Sequence, residues 1–350
     1  MSGVRVGHGS QDKQCGISNW PEADRAAVQD TCQLGNVASK IGKFSIKGKL
    51  PVHIAGSIPA LVTPFQHGGA LDLVAFEALV DWHLAQGSNG LVVGGSTGES
   101  GALEEFELAA LLEIAVRRAD RRVPVIAGTG SPATAKAVRL ARLAQTLGAD
   151  AALAVTPFYS RPTQAGMVAH FLAMADDGAL PVILYNVPGR TGVDLSPESV
   201  AVLAPHPRIV GIKEAVVDPA RMLALLALKA PGFSVLSGDD PTALRALSAG
   251  ADGVISVVAN LVPELMSELC RAVRDGQMQA AREIDAMLAP LYAATATEPN
   301  PIPVKAGLAM MGWMNELPRL PLLPLSDVHR PALVDALRHA RVKLAAALAA

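Results

Sequence analysis

Residues 208–215 read RIVGIKEA, an apolar run that ends on a lysine. Ile209, Val210 and Ile212 favour a strand, and a lysine is rarely buried without a reason. Taken alone, the segment is a strand that stops where Lys213 snorkels to water. The rest of the chain changes that reading. Seven further short β-rich runs end in Gly, Thr, Pro or Asp and give way to Ala/Leu-rich helical segments: IPALVTP from Ile58, GLVVGGS from Gly90, VPVIAGTG from Val123, AALAVTP from Ala151, PVILYNVP from Pro181, FSVLSGDD from Phe233 and GVISVV from Gly253. The eight runs start 20 to 33 residues apart. That spacing suits right-handed βαβ crossovers in a wholly parallel sheet, and eight units of about 250 residues close a (β/α)8 TIM barrel. A doubly wound open sheet shows the same alternation, but no GxGxxG follows the first run.

Around this core the sequence divides into three parts. Residues 1–55 are rich in Gly, Ser and Lys without sustained periodicity and are expected to be a disordered N-terminal extension. Residues 56–275 hold the barrel. Residues 276–350 form a C-terminal helical appendage, and amphipathic stretches are expected near 263–275, 277–292, 302–314 and 331–348.

Composition excludes several classes of function. The chain has 350 residues, half of them apolar, and a net charge of −2, so no basic surface recommends a nucleic acid or a membrane as partner. Cys15, Cys32 and Cys270 form neither a disulfide framework nor a CxxC pair, which suits a reducing cytoplasm. No apolar run approaches the roughly 18 residues of a membrane span, and the N-terminus lacks a signal-peptide core.

In a barrel, chemistry sits where strands end and βα loops begin. Those ends carry Thr63, Ser96, Thr97, Thr129, Thr156, Tyr159, Tyr185, Asn186, Lys213, Glu214, Ser237 and Asp239. Two of the chain's three tyrosines, Tyr159 and Tyr185, belong to this rim. The GGSTGES loop, residues 94–100, offers backbone amides and hydroxyls for a carboxylate or phosphate, without the Gly-Lys-Ser/Thr of a Walker loop. A metal is not expected: the eight histidines are dispersed, no HxH or HExxH occurs, and Asp239-Asp240 reads as a cap. A serine nucleophile lacks its GxSxG elbow. A lysine beside tyrosines and an anion loop points instead to amine catalysis on a carbonyl acid. At pH 7 a free lysine pays about 4–5 kcal/mol to shed its proton, unless burial lowers its pKa from ~10.4.

GGSTGES, VTPFYSRP, LYNVPGRTG, GIKEA and LSGDD, in this order, resemble the pyruvate-dependent class I aldolase family, which includes the N-acetylneuraminate lyases. The likeness spans about residues 56–340. It implies that Lys213 forms a Schiff base with C2 of pyruvate, with no cofactor. By the same resemblance the derived enamine would attack aspartate 4-semialdehyde, and cyclisation would give 4-hydroxy-tetrahydrodipicolinate for diaminopimelate and lysine synthesis. It further implies that Tyr185 exchanges protons through Ser96 with Tyr159, that Ser96 and Thr97 hold the pyruvate carboxylate, and that Arg190 clamps the second carboxylate. Gly238 and Ile255 would line the pyruvate pocket. Tyr159 would reach into a neighbouring subunit's site, in a homotetramer built as a dimer of dimers.

Two features qualify the resemblance. Ser96 replaces the threonine usual in the synthases and looks like the lyase branch, whereas Arg190 favours a synthase. A sugar-acid lyase acting on N-acetylneuraminate or a 2-keto-3-deoxy sugar acid is therefore the alternative, and a keto-acid sensor without catalysis a more distant one. The positions matching the family's lysine-inhibition site read Glu105, Leu108, Pro132, Lys136 and Phe158. Lys136 stands where glutamate is expected, so feedback inhibition by lysine should be weak or absent.

Overall fold

The structure is a computed structural model that describes residues 54–345; the expected disorder of residues 1–55 falls almost wholly outside them. Eight strands run β1 (Gly56–Pro59), β2 (Leu91–Val93), β3 (Val125–Gly128), β4 (Ala151–Val155), β5 (Val182–Asn186), β6 (Ile209–Glu214), β7 (Ser234–Ser237) and β8 (Gly253–Ser256). All are parallel, paired in the order β1-β8-β7-β6-β5-β4-β3-β2. A parallel bridge between Ala60 and Val92 joins β1 to β2, and the Leu61 amide donates to the Val92 carbonyl at 2.9 Å. This closes the barrel and rules out the open sheet.

The strands are short because both faces are covered, so length adds nothing once each side chain has found a layer. Ile58, Val92, Ile126, Leu153, Ile183, Leu236 and Ile255 fill the interior. Opposite faces meet the surrounding helices, as with Val182, Leu184 and Ile212 against Val168 and Phe171. Asp72, Thr163, Ser196 and Asp218 accept helix amides at N-termini, each an interaction worth about 1 kcal/mol, and so mark where loops turn back into helices.

One irregularity decides what β6 presents. Val182 pairs with Ile209 but Ile183 pairs with Gly211, leaving Val210 as an extra residue. Val210 joins the interior, the alternation restarts at Gly211, and Lys213 lands opposite Tyr185 while Ile212 packs outside. A β-bulge of this kind re-aims a side chain. Without it, Ile212 would face inward and Lys213 the helical layer.

Beyond β8, helices span Pro263–Arg274, Met278–Thr295, Ile302–Met310 and Arg330–His339. The third is not amphipathic as expected: eight of its nine residues are buried, Lys305 among them. It is wedged between barrel and outer helices, and its polar lysine finds an internal partner.

Candidate active site

Lys213 is 5% exposed at the carboxyl end of β6, with its Nζ 4.4 Å from the centroid of the Tyr185 ring. The ring face offers the amine its negative quadrupole. Gly238 makes the room: a Cβ there would lie 2.9 Å from Lys213 Cε and 3.0 Å from Cγ. Behind it, Asp240 accepts the Val257 and Val258 amides at 3.0 and 2.8 Å. Burial pushes the Asp240 carboxyl above the usual range, opposed by these hydrogen bonds, by Ser256 and by the Lys213 charge.

The lysine opens on a chamber of about 210 Å³, a volume suited to a small keto acid. Six of the eight expected site residues line it: Ser96, Thr97, Tyr185, Arg190, Lys213 and Gly238. Ile255 lies wholly buried in the interior core, and Val257, two residues on, reaches the chamber. Tyr159 is 93% exposed at a left-handed φ of 70° and lines none of this chamber. Ser96 and Tyr185 share the chamber without a hydrogen bond to each other.

Asn300 was not legible in the sequence. Its Nδ2 donates to Thr97 Oγ1 at 2.9 Å, and its carbonyl accepts from Arg190 Nη2 at 3.3 Å. Thr97, accepting from Asn300, keeps its own hydroxyl proton for an anion in the chamber. The only local signal was an Asn-Pro step ahead of a helix, which marks a turn and says nothing of a partner some 200 residues away.

Several rim candidates have structural work instead. Thr63 donates to the Gly98 carbonyl at 2.7 Å, Thr156 to Thr191 Oγ1 at 3.2 Å, and Ser237 to the Asp239 carbonyl at 3.0 Å. Glu214 and Asn186 point to the outer layer, where Asn186 Nδ2 donates to Glu214 at 3.1 Å and to Asp194 at 2.7 Å. Burial pushes the Glu214 carboxyl up, against hydrogen bonds from the Val216 amide and Asn186. Asp239 accepts the Thr242 amide as a helix cap. Among the described residues no group of three or more His, Cys, Asp or Glu is placed to hold a metal.

A larger cavity of about 630 Å³ adjoins the chamber and shares Ser96, Val187 and Arg190 with it. Lys213 lines only the smaller one. Glu105, Leu108, Pro132, Lys136 and Phe158 all line the larger cavity. Its Glu105 is held by Arg139 at 2.5 Å, and this hydrogen bond keeps the carboxyl below its usual range.

Residues 53–340 match the model of the dihydrodipicolinate synthetase family. The chain is 52% identical over 279 residues to the 4-hydroxy-tetrahydrodipicolinate synthase of Stenotrophomonas maltophilia strain R551-3, an alignment covering 80% of this chain and 94% of that one. It is 54% identical to the synthase of Xanthomonas axonopodis pv. citri, covering 80% and 92%. The crystal structure of chloride-inhibited dihydrodipicolinate synthase from Acinetobacter baumannii, complexed with pyruvate, superposes with a TM-score of 0.81 at 45% identity, covering 83% of this chain and all of that one.

Proposed function

The chain belongs to the dihydrodipicolinate synthetase family, and from that premise we propose how its chamber performs the family's reaction. The reaction is the condensation of pyruvate with L-aspartate 4-semialdehyde to 4-hydroxy-tetrahydrodipicolinate, and it needs no cofactor because the iminium formed by the amine and pyruvate supplies the electron sink. The observation that carries the residue assignments is the buried Lys213 amine facing Tyr185 in a chamber walled by Thr97 and Arg190.

Lys213 adds to C2 of pyruvate, and the carbinolamine loses water to an imine. The iminium withdraws electrons from the methyl group, whose proton leaves to give an enamine. The enamine carbon attacks the semialdehyde carbon, and the aldehyde oxygen takes up a proton. The substrate's own amine then displaces Lys213 from C2, closing the ring and freeing the lysine. Tyr185, whose ring faces the amine, carries the protons. Ser96 and Thr97 orient the pyruvate carboxylate, and Arg190 holds that of the semialdehyde. Intact mass after borohydride reduction with pyruvate tests this directly: one reduced pyruvate per chain is expected, and cyclised product once the semialdehyde is added to unreduced enzyme. No adduct would overturn the amine mechanism.

The exposed Tyr159, next to the partly exposed Phe158 and near in sequence to neither Lys213 nor Tyr185, fits a residue that serves a second subunit's chamber in a homotetramer. Mixing subunits reads this out. Tyr159→Phe and Lys213→Ala homo-oligomers should each be nearly inactive, and mixed oligomers should regain activity, because one chamber then has both groups. Failure to complement, with exchange of subunits demonstrated, counts against the crossing. No described helix is long and apolar enough to cross a membrane, and a cytoplasmic location suits the reaction.

Feedback by lysine should be weak. The Lys136 ammonium in the larger cavity repels an effector ammonium, and Arg139 already occupies Glu105. Half-maximal inhibition at low-millimolar lysine or below would contradict this.

A further inference from the structure

We propose that Lys305 and Glu99 are positioning residues for pyruvate: an ion pair outside the chamber that fixes the Ser96–Thr97 loop from the C-terminal helix Ile302–Met310. Lys305 is 0% exposed, and its Nζ donates to Glu99 Oε1 at 2.5 Å and to the Thr63 carbonyl at 3.0 Å. The other Glu99 oxygen, Oε2, accepts the Arg319 amide at 2.9 Å. Lys305 Nζ and the Arg319 guanidinium lie 4.4 and 4.3 Å from the centroid of the Phe65 ring. Neither charge lines the chamber.

A buried ion pair is a poor device for stability, because desolvating both charges offsets most of their attraction. What it provides is a fixed direction, and here that direction acts on the loop. Glu99 sits at φ 54°, ψ 40°, a left-handed conformation uncommon for a residue with a side chain. The Glu99 amide donates to the Ser96 carbonyl at 3.1 Å, and the Ser100 amide to the Gly95 carbonyl at 3.3 Å, so the loop folds on the residue that Lys305 grips. Thr63, whose carbonyl Lys305 also holds, donates its hydroxyl to the Gly98 carbonyl, and a Cβ on Gly98 would come within 3.0 Å of the Leu61 carbonyl. The Ser96–Thr97 pair is thus clamped from behind through Glu99 and Gly98. Asn300, just ahead of the helix that carries Lys305, bonds Thr97 from the front.

This inference rests on the assignment of Ser96 and Thr97 to the pyruvate carboxylate. Borohydride trapping at Lys213, followed against pyruvate concentration, tests both. In Glu99→Gln/Lys305→Met, which removes the two charges together, half-saturating pyruvate should rise about 10- to 100-fold while trapping at saturation stays complete. Thr63→Val, which keeps its shape and the carbonyl that Lys305 holds, should shift it in the same direction by less, and serves if the double variant does not fold. Leu333→Ala, a buried residue of the outer helix Arg330–His339, supplies a destabilised comparison that should leave half-saturation unchanged. Thr97→Val separates the readings. If Thr97→Val shifts half-saturation and neither clamp variant does, the positioning role is overturned and the carboxylate assignment stands. An unchanged Thr97→Val overturns both.

Discussion

Lys213→Ala should abolish borohydride trapping of pyruvate and lower kcat by at least about 10⁴-fold, the scale seen when an attacking nucleophile is removed. Among the described residues no other lysine lines the chamber. Lys305 is locked to Glu99 outside the chamber, and Lys136 lines the neighbouring cavity. Lys213→Arg should fail equally, since a guanidinium forms no imine under these conditions and its planar head does not match the space left by Gly238. The melting temperature should change little in Lys213→Ala, because the side chain borders the chamber rather than filling a packed core. That combination separates loss of chemistry from loss of fold. It also disposes of the sensor reading: a barrel that merely holds a keto acid would bind pyruvate reversibly in both proteins and be trapped in neither.

The sequence reveals the barrel because each strand, covered on two sides, must be a short apolar run, and eight such runs alternate with helices. It does not reveal the aim of Lys213. RIVGIKEA has no strict alternation, and the lysine faces inward only because Val210 is bulged out of register with β5. Nor does the sequence separate catalytic rim residues from structural ones. Strand ends need hydroxyls to tie down loops, so Thr63, Thr156 and Ser237 resemble catalytic groups in sequence while serving the backbone. The contribution of the C-terminal region leaves no local signal. Asn300, Lys305 and Arg319 sit some 200 residues from the loop they hold, and a helix buried on every side gives no periodicity to announce that role.

Arg190→Ala should separate the two substrates. Arg190 is exposed on the short helix Pro188–Thr191, at the outer edge of the chamber. Among the described residues only one of its nitrogens is engaged, with the Asn300 carbonyl at 3.3 Å, so most of the guanidinium fork is available to a carboxylate. A charge-assisted hydrogen bond contributes about 1.5–3 kcal/mol, and a bidentate pair makes two, so kcat/KM for aspartate 4-semialdehyde should fall on the order of 10²- to 10⁴-fold. Pyruvate trapping should change by less than about 3-fold, since imine formation precedes any contact with the second carboxylate. Arg190→Lys should recover only part of the loss, because an ammonium restores the charge without the fork. The alternative sugar-acid chemistry predicts otherwise: a lyase would cleave N-acetylneuraminate or a 2-keto-3-deoxy sugar acid and lose little with Arg190. A parallel fall in trapping and semialdehyde turnover would instead place Arg190 on pyruvate itself. Its link to Thr97 through Asn300 makes that the sharpest rival, and measuring both rates on one variant decides between them.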